Sequence, residues 1–164
     1  MAHDVTIRIS EEDDRAHLVE WLMDPVVLDW FPLDNLPEVE DAARIWLSYK
    51  AQGASFTACI DGKPAGIAVL YLHHFKKLKH QSLFAIIVHP DFRGKGVGTK
   101  LFNQMKKQAK SKFGIELFHL EVYEGNPAYS LYKRLGFKEY GRQEGFLKEK
   151  GGKYRCKINM EMVL

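Results

Sequence analysis

Cysteine is nearly absent from this sequence: Cys59 and Cys156 are the only two in 164 residues. Two thiols cannot build a disulfide framework or a cysteine metal cluster, so they read as reduced core thiols of a cytoplasmic protein. Long apolar runs are missing as well. No stretch approaches the roughly 20 residues that span a bilayer, and the N-terminal MAHDVTIRIS lacks the apolar segment of a secretion signal. No membrane partner is expected. A strong excess of one charge is also missing. The net charge of +3 permits anionic ligands but does not argue for nucleic acid, and Lys106, Lys107, Lys110 and Lys112 read as a solvated helix face. His73, His74 and His80 lack metal-ligand spacing, so no metal is expected. Repeats, linkers and low-complexity segments do not stand out. Residues 1–164 therefore read as one domain, long enough to bury a real core.

Against that background, residues 84–101, FAIIVHPDFRGKGVGTKL, are distinctive. An apolar run ends at His89-Pro90. Gly94, Gly96 and Gly98 follow, flanked by Arg93 and Lys95, and a helical pattern begins at once through Val97 and Thr99. Glycines let a backbone approach a ligand closely. A helix start adds unpaired N–H donors and the positive end of a dipole. The combination suits a phosphate or pyrophosphate.

The surrounding pattern gives a fold. Val5–Ile9 alternates as a strand, and Ser10 followed by three acids looks like a helix start running toward Asp24-Pro25. Glu38–Gln52 reads as a helix closed by Gly53. Ser55–Ile60 and Pro64–Leu72 form a hairpin about Asp61-Gly62. Leu83–Val88, apolar on both faces, reads as a central strand. The helix after the glycines leads to a strand at Ile115–Tyr123, a short helix at Asn126–Leu135, and a hairpin of Phe137–Phe146 with Tyr154–Val163. A strand–helix–strand crossover implies parallel neighbours, and hairpins imply antiparallel ones. The expected class is α/β, of the α+β mixed-sheet kind: a mostly antiparallel sheet with a central β-α-β crossover and helices on both faces.

Two phosphate motifs fail on spacing. A Walker loop needs Gly, four residues, then Gly-Lys-Ser/Thr, but Gly94-Lys95 is followed by Gly96. A dinucleotide fingerprint needs G-x-G-x-x-G, and here the spacing is G-x-G-x-G. Arg93-x-x-Gly96-x-Gly98 after an apolar strand instead resembles the acyl-CoA pyrophosphate motif of the GNAT (Gcn5-related) N-acetyltransferases. Residues 126–137, NPAYSLYKRLGF, resemble the second signature of that family. The two are separated by one helix and one strand, and the element order also matches, so the resemblance covers nearly the whole chain.

The resemblance implies a set of roles. Backbone N–H groups from Gly94 through Lys95, Gly96, Val97 and Gly98 to Thr99 would cradle the pyrophosphate of acetyl-CoA, with Arg93 opening the loop or pairing with a phosphate. The fourth and fifth strands would splay, setting Ile87 and Val88 backbone groups against the pantetheine arm. Asn126 caps the last helix or reaches that arm. Tyr132 would donate a proton to the departing thiolate. For the base, Glu121 comes first and Glu124 second, because His119, Glu121 and Tyr123 share one strand face. The acceptor would be a primary amine. Asp24, Asp29, Asp34, Trp30 and Phe31 in the segment 24–35 suit a small cationic amine or polyamine. A protein N-terminus or lysine is the alternative, and a non-catalytic acyl-CoA-binding module is a rival of another kind. Family members are often dimers, which leaves a homodimer open.

Overall fold

The computed structural model describes residues 4–164; the first three positions of the N-terminal segment lie outside it. Seven strands run in the order β1 (Val5–Ile9), β2 (Ser55–Ile60), β3 (Lys63–Tyr71), β4 (Gln81–Val88), β5 (Leu117–Tyr123), β7 (Tyr154–Val163) and β6 (Lys138–Lys148) across a single sheet. Only β4 and β5 are parallel, and every other neighbouring pair is antiparallel. The expected mixed sheet with its central crossover is present.

Side-chain alternation along the strands gives the sheet two buried faces. Helices α1 (Asp14–Met23), α2 (Pro25–Leu28) and α3 (Leu36–Ser48) cover one face, where Leu18, Leu22, Val39 and Trp46 pack on Ile67, Val69 and Ile87. Helix α4 (Val97–Phe113) covers the other. Its buried stripe of Val97, Leu101, Met105 and Ala109 repeats every four residues and meets Phe56, Ala68 and Leu70. Helix α5 (Ala128–Leu135) adds Tyr129, Tyr132 and Leu135 to the same side. Gly66 in β3 admits α4 closely. A Cβ there would lie 3.0 Å from the Ile87 carbonyl oxygen and 3.3 Å from a Val97 methyl.

The β1–α1 junction departs from the sequence reading. Ser10 does not cap the helix; its hydroxyl is buried against Thr57 and Ser55, and α1 begins at Asp14. The buried Asp14 carboxylate collects the local donors instead. Arg8 reaches it with Nη1 and Nη2 at 2.7 and 2.9 Å, the Thr57 hydroxyl at 2.8 Å and the Glu11 N–H at 2.8 Å. Burial alone would raise its pKa, but hydrogen bonds from Arg8, Glu11 and Thr57 outweigh burial and hold it below the usual carboxylate range.

The depressed pKa sets a sign. The ionised form is favoured by folding, so its stabilisation is full above the unfolded value of ~3.9 and is lost as pH falls through the lower folded value. Asp14→Ala is expected to destabilise the fold by about 2–3 kcal/mol, below the roughly 3–5 kcal/mol of a fully buried pair because Arg8 stays partly solvated. Urea unfolding at pH 7 measures that loss. Repeating it between pH 5 and 2.5 should show a shallower acid loss in the variant than in the parent.

Candidate active site

Strands β4 and β5 pair over only three rungs, Gln81–Leu83 with Leu117–His119, and then part. Registers on either side show which groups this strands. The His89 N–H bonds the Ala65 carbonyl at 2.8 Å, so alternation makes Ile87, Ala85 and Leu83 the residues hydrogen-bonded to β3. The backbones of Phe84, Ile86 and Val88 then face the gap. On β5, the Glu124 N–H bonds the Cys156 carbonyl at 3.0 Å, which turns the backbones of Glu121 and Tyr123 into the gap from the other side. Ile86, Ile87 and Val88 all line the cleft; the register gives the Ile87 backbone to β3 and its side chain to the α1–α3 core, and turns the Ile86 and Val88 backbones toward the gap.

Aromatic rings fill the closed end of this wedge on the α4 side. Phe84 lies 5.2 Å from Phe118, 5.7 Å from Phe137, 5.8 Å from Phe102 and 6.1 Å from Tyr132, centroid to centroid. The Tyr132 hydroxyl makes no hydrogen bond among the described residues, and the ring lines the cleft. Burial alone pushes its pKa up to about 12, so the phenol stays protonated.

The glycine turn lies at the open end of the gap. Gly94 and Gly96 have φ of 73° and 79°, a conformation that L side chains resist. Gly96 starts α4 with no side-chain cap, so the N–H groups of Val97, Gly98 and Thr99 point out of the helix end without a partner among the described residues. Arg93 lines the cleft and has no carboxylate within 4.0 Å among the described residues. Lys95, between the two glycines, holds its ammonium 5.3 Å from the Phe92 ring. Asn126 does two things: its Oδ1 accepts from the Ala128 N–H at 2.9 Å, holding the start of α5, and the residue also lines the cleft.

The cleft measures about 350 Å³ and continues from the gap onto the α1–α3 face. Glu121 is the one carboxylate that lines it, and Lys157 sits 3.2 Å from its Oε1. Glu124, the second base candidate, lies off the cleft and pairs with Arg142 at 3.5 Å. The acids of segment 24–35 are also engaged elsewhere. Asp24 accepts from the Val26 N–H, Asp29 pairs with Arg155 at 3.1 Å, and Asp34 pairs with Lys150 at 3.3 Å. Trp30 and Phe31 do line the cleft.

Sequence reasoning placed His119 on the right face but gave it no role. It sits at the last paired rung, one step inward of Glu121, and its buried Nε2 has no hydrogen-bond partner among the described residues. Burial first, then the nearby His73, lowers its pKa, with Glu121 and Glu161 opposing, so the imidazole is neutral at pH 7. The strand register that buries it is a long-range property, invisible in the local pattern.

A family model described as the acetyltransferase (GNAT) family matches residues 12–137. An uncharacterized N-acetyltransferase of Methanocaldococcus jannaschii is 34% identical over 107 residues, covering 63% of this chain and 47% of that protein. Spermidine N(1)-acetyltransferase of Escherichia coli is 26% identical over 165 residues, covering 97% and 86%. The chain's match spans about half the length of the first curated relatives, at 47%, 58% and 52%. An acetyltransferase structure from Salmonella typhimurium, solved with its cofactor acetyl-CoA, superposes with a TM-score of 0.81 at 21% identity, over 98% of this chain and 94% of that one.

The turn geometry yields a test. Gly96→Val forces a β-branched residue to a positive φ, at a strain of about 1–2 kcal/mol. Thermal unfolding should drop by roughly 3–6 °C. Calorimetry with CoA should show affinity lowered by at least about tenfold, as donors of the helix end lose their alignment.

Proposed function

The chain belongs to the acetyltransferase (GNAT) family, and on that premise we propose that it transfers an acetyl group from acetyl-CoA directly to a primary amine. One observation carries the reading. An unpaired backbone edge runs through the middle of the sheet, from the uncapped start of α4 to the protonated phenol of Tyr132. An acyl-CoA fits those groups in order. The N–H groups of Val97, Gly98 and Thr99, with Arg93 beside them, suit the pyrophosphate. Ile86 and Val88 offer strand-like hydrogen bonds to an extended arm of amides.

The chemistry falls to three groups. The Val88 N–H faces the gap, where it would stabilise negative charge gathering on the thioester oxygen. Tyr132 donates a hydrogen bond to the departing sulfur. With the phenol near 12, full proton transfer to a thiolate of pKa ~8.5 is uphill by about 5 kcal/mol, so the bond acts during departure and the phenol keeps its proton. Glu121 relays the proton of the acceptor ammonium to solvent, and that release, for an alkylamine of pKa ~10.4, costs about 4.6 kcal/mol at pH 7. The attacking nitrogen loses one further proton as the amide forms, and this balances the one that sulfur gains.

The names of the relatives include both a small polyamine and the alanine of ribosomal protein bS18 as acceptors, which supports an amine acceptor for this chain. The test is CoA release from acetyl-CoA across a panel of amines. Tyr132→Phe should lower kcat by about 100-fold and leave acetyl-CoA affinity within about twofold. Unchanged turnover in that variant would remove Tyr132 from the mechanism. Glu121→Gln should lower kcat/KM for alkylamines more at pH 7 than at pH 9, because at the higher pH more amine arrives unprotonated.

A further inference from the structure

We propose that the acceptor is a primary monoamine on an uncharged aromatic or branched aliphatic body, with neither a second ammonium nor a carboxylate. The proposal rests on the acetyl-transfer reading and names the substrate class of that same site. The acceptor side of the cleft, beyond the β4–β5 gap, is walled by Leu22, Val27, Trp30, Phe31, Leu33 and Trp46 from the helical layer. Tyr71 and Tyr123 complete it from the sheet. Burial raises both phenols' pKa, so each is a neutral polar group there.

Charge is confined to one spot. Glu121 is the single carboxylate in the wall, and Lys157, itself held 4.0 Å above the Phe146 ring, already lies 3.2 Å from it. One ammonium can be received there. Within the cleft a second ammonium on a di- or polyamine meets no further carboxylate among the described residues: Asp24, Asp29 and Asp34 lie off it, against the Val26 N–H, Arg155 and Lys150. One aromatic face that could stand in for an acid is already taken. The Trp30 ring already carries the Arg155 guanidinium at 5.2 Å. A buried unpaired charge is therefore left uncompensated.

A carboxylate fares no better. Arg155 is held between Asp29 and Glu149, Lys150 pairs with Asp34, and Lys157 is taken by Glu121. Among the described residues Arg93 is the one cation lining the cleft, and it stands beside the glycine turn. Apolar carbon, by contrast, is rewarded: each buried methylene is worth about a fourfold gain in affinity.

The experiment compares kcat/KM for 2-phenylethylamine, 3-methylbutylamine, putrescine, spermidine, phenylalanine and phenylalaninamide at pH 8, reading CoA release. Acetyl-CoA binding is measured in parallel. The expected result is a preference of at least about tenfold for 2-phenylethylamine and 3-methylbutylamine over putrescine and spermidine. Phenylalaninamide should exceed phenylalanine, whose carboxylate has no partner. Leu33→Glu, which adds a second acid to the wall, should raise putrescine relative to 2-phenylethylamine by about tenfold. Turnover in which putrescine or spermidine equals or exceeds the apolar amines overturns this proposal and leaves acetyl transfer standing. Tight acetyl-CoA binding with no release from any amine overturns both.

Discussion

A strand in the middle of a sheet that stops pairing halfway leaves its own hydrogen-bonding groups behind, and buried backbone groups must find partners. Strands β4 and β5 do this after three rungs. The rest of the molecule is arranged around that interruption. Phe84, Phe102, Phe118, Phe137 and Tyr132 pack beneath its closed end, so the sheet is supported where its ladder stops. The unpaired edge has a direction, from an uncapped helix end to a buried phenol. Any ligand that completes the ladder must be long, extended and rich in amides, with an anion at one end.

The two halves of the cleft are built by different means. The edge that faces the proposed acyl donor is local. It comes from β4, the turn after it and the first turn of α4, held close to the sheet by the absence of a side chain at Gly66. The acceptor side is assembled from distant pieces. Its walls come from α1, α2, α3 and β5, and its charges are cancelled by Arg155 and Lys157 from the last strand. A fold made this way can keep one donor while its acceptor changes, because the two sets of residues hardly overlap.

That difference also explains what the sequence revealed. The glycine turn, the parallel pair β4 and β5, and the helix carrying Tyr132 were legible because each is a run of neighbouring residues with one physical cause. The choice between Ile87 and Ile86 was not. It depends on which edge of β4 bonds to β3, and the β3–β4 register fixes that through residues 20 or so positions away (about the reach of the intervening loop). Asp24, Asp29 and Asp34 looked available to a cation because nothing nearby in the chain neutralises them. Asp29 meets Arg155 across 126 positions, and Asp34 meets Lys150 across a slightly shorter separation. His119 was read correctly as to face, but its burial without a partner follows from strands on both sides.

Arg155 has one more consequence. It ties the segment over the proposed acceptor chamber to β7 through Asp29, stacks on Trp30, and is braced by Glu149. The carboxylates in this clasp are partly solvated, so mobile ions compete with it, over a Debye length of about 8 Å at physiological salt. The aromatic wedge under the sheet is apolar and feels no such screening. Ionic strength therefore acts on the roof and spares the floor: salt loosens the covering of the acceptor chamber while the interrupted ladder beneath keeps its shape.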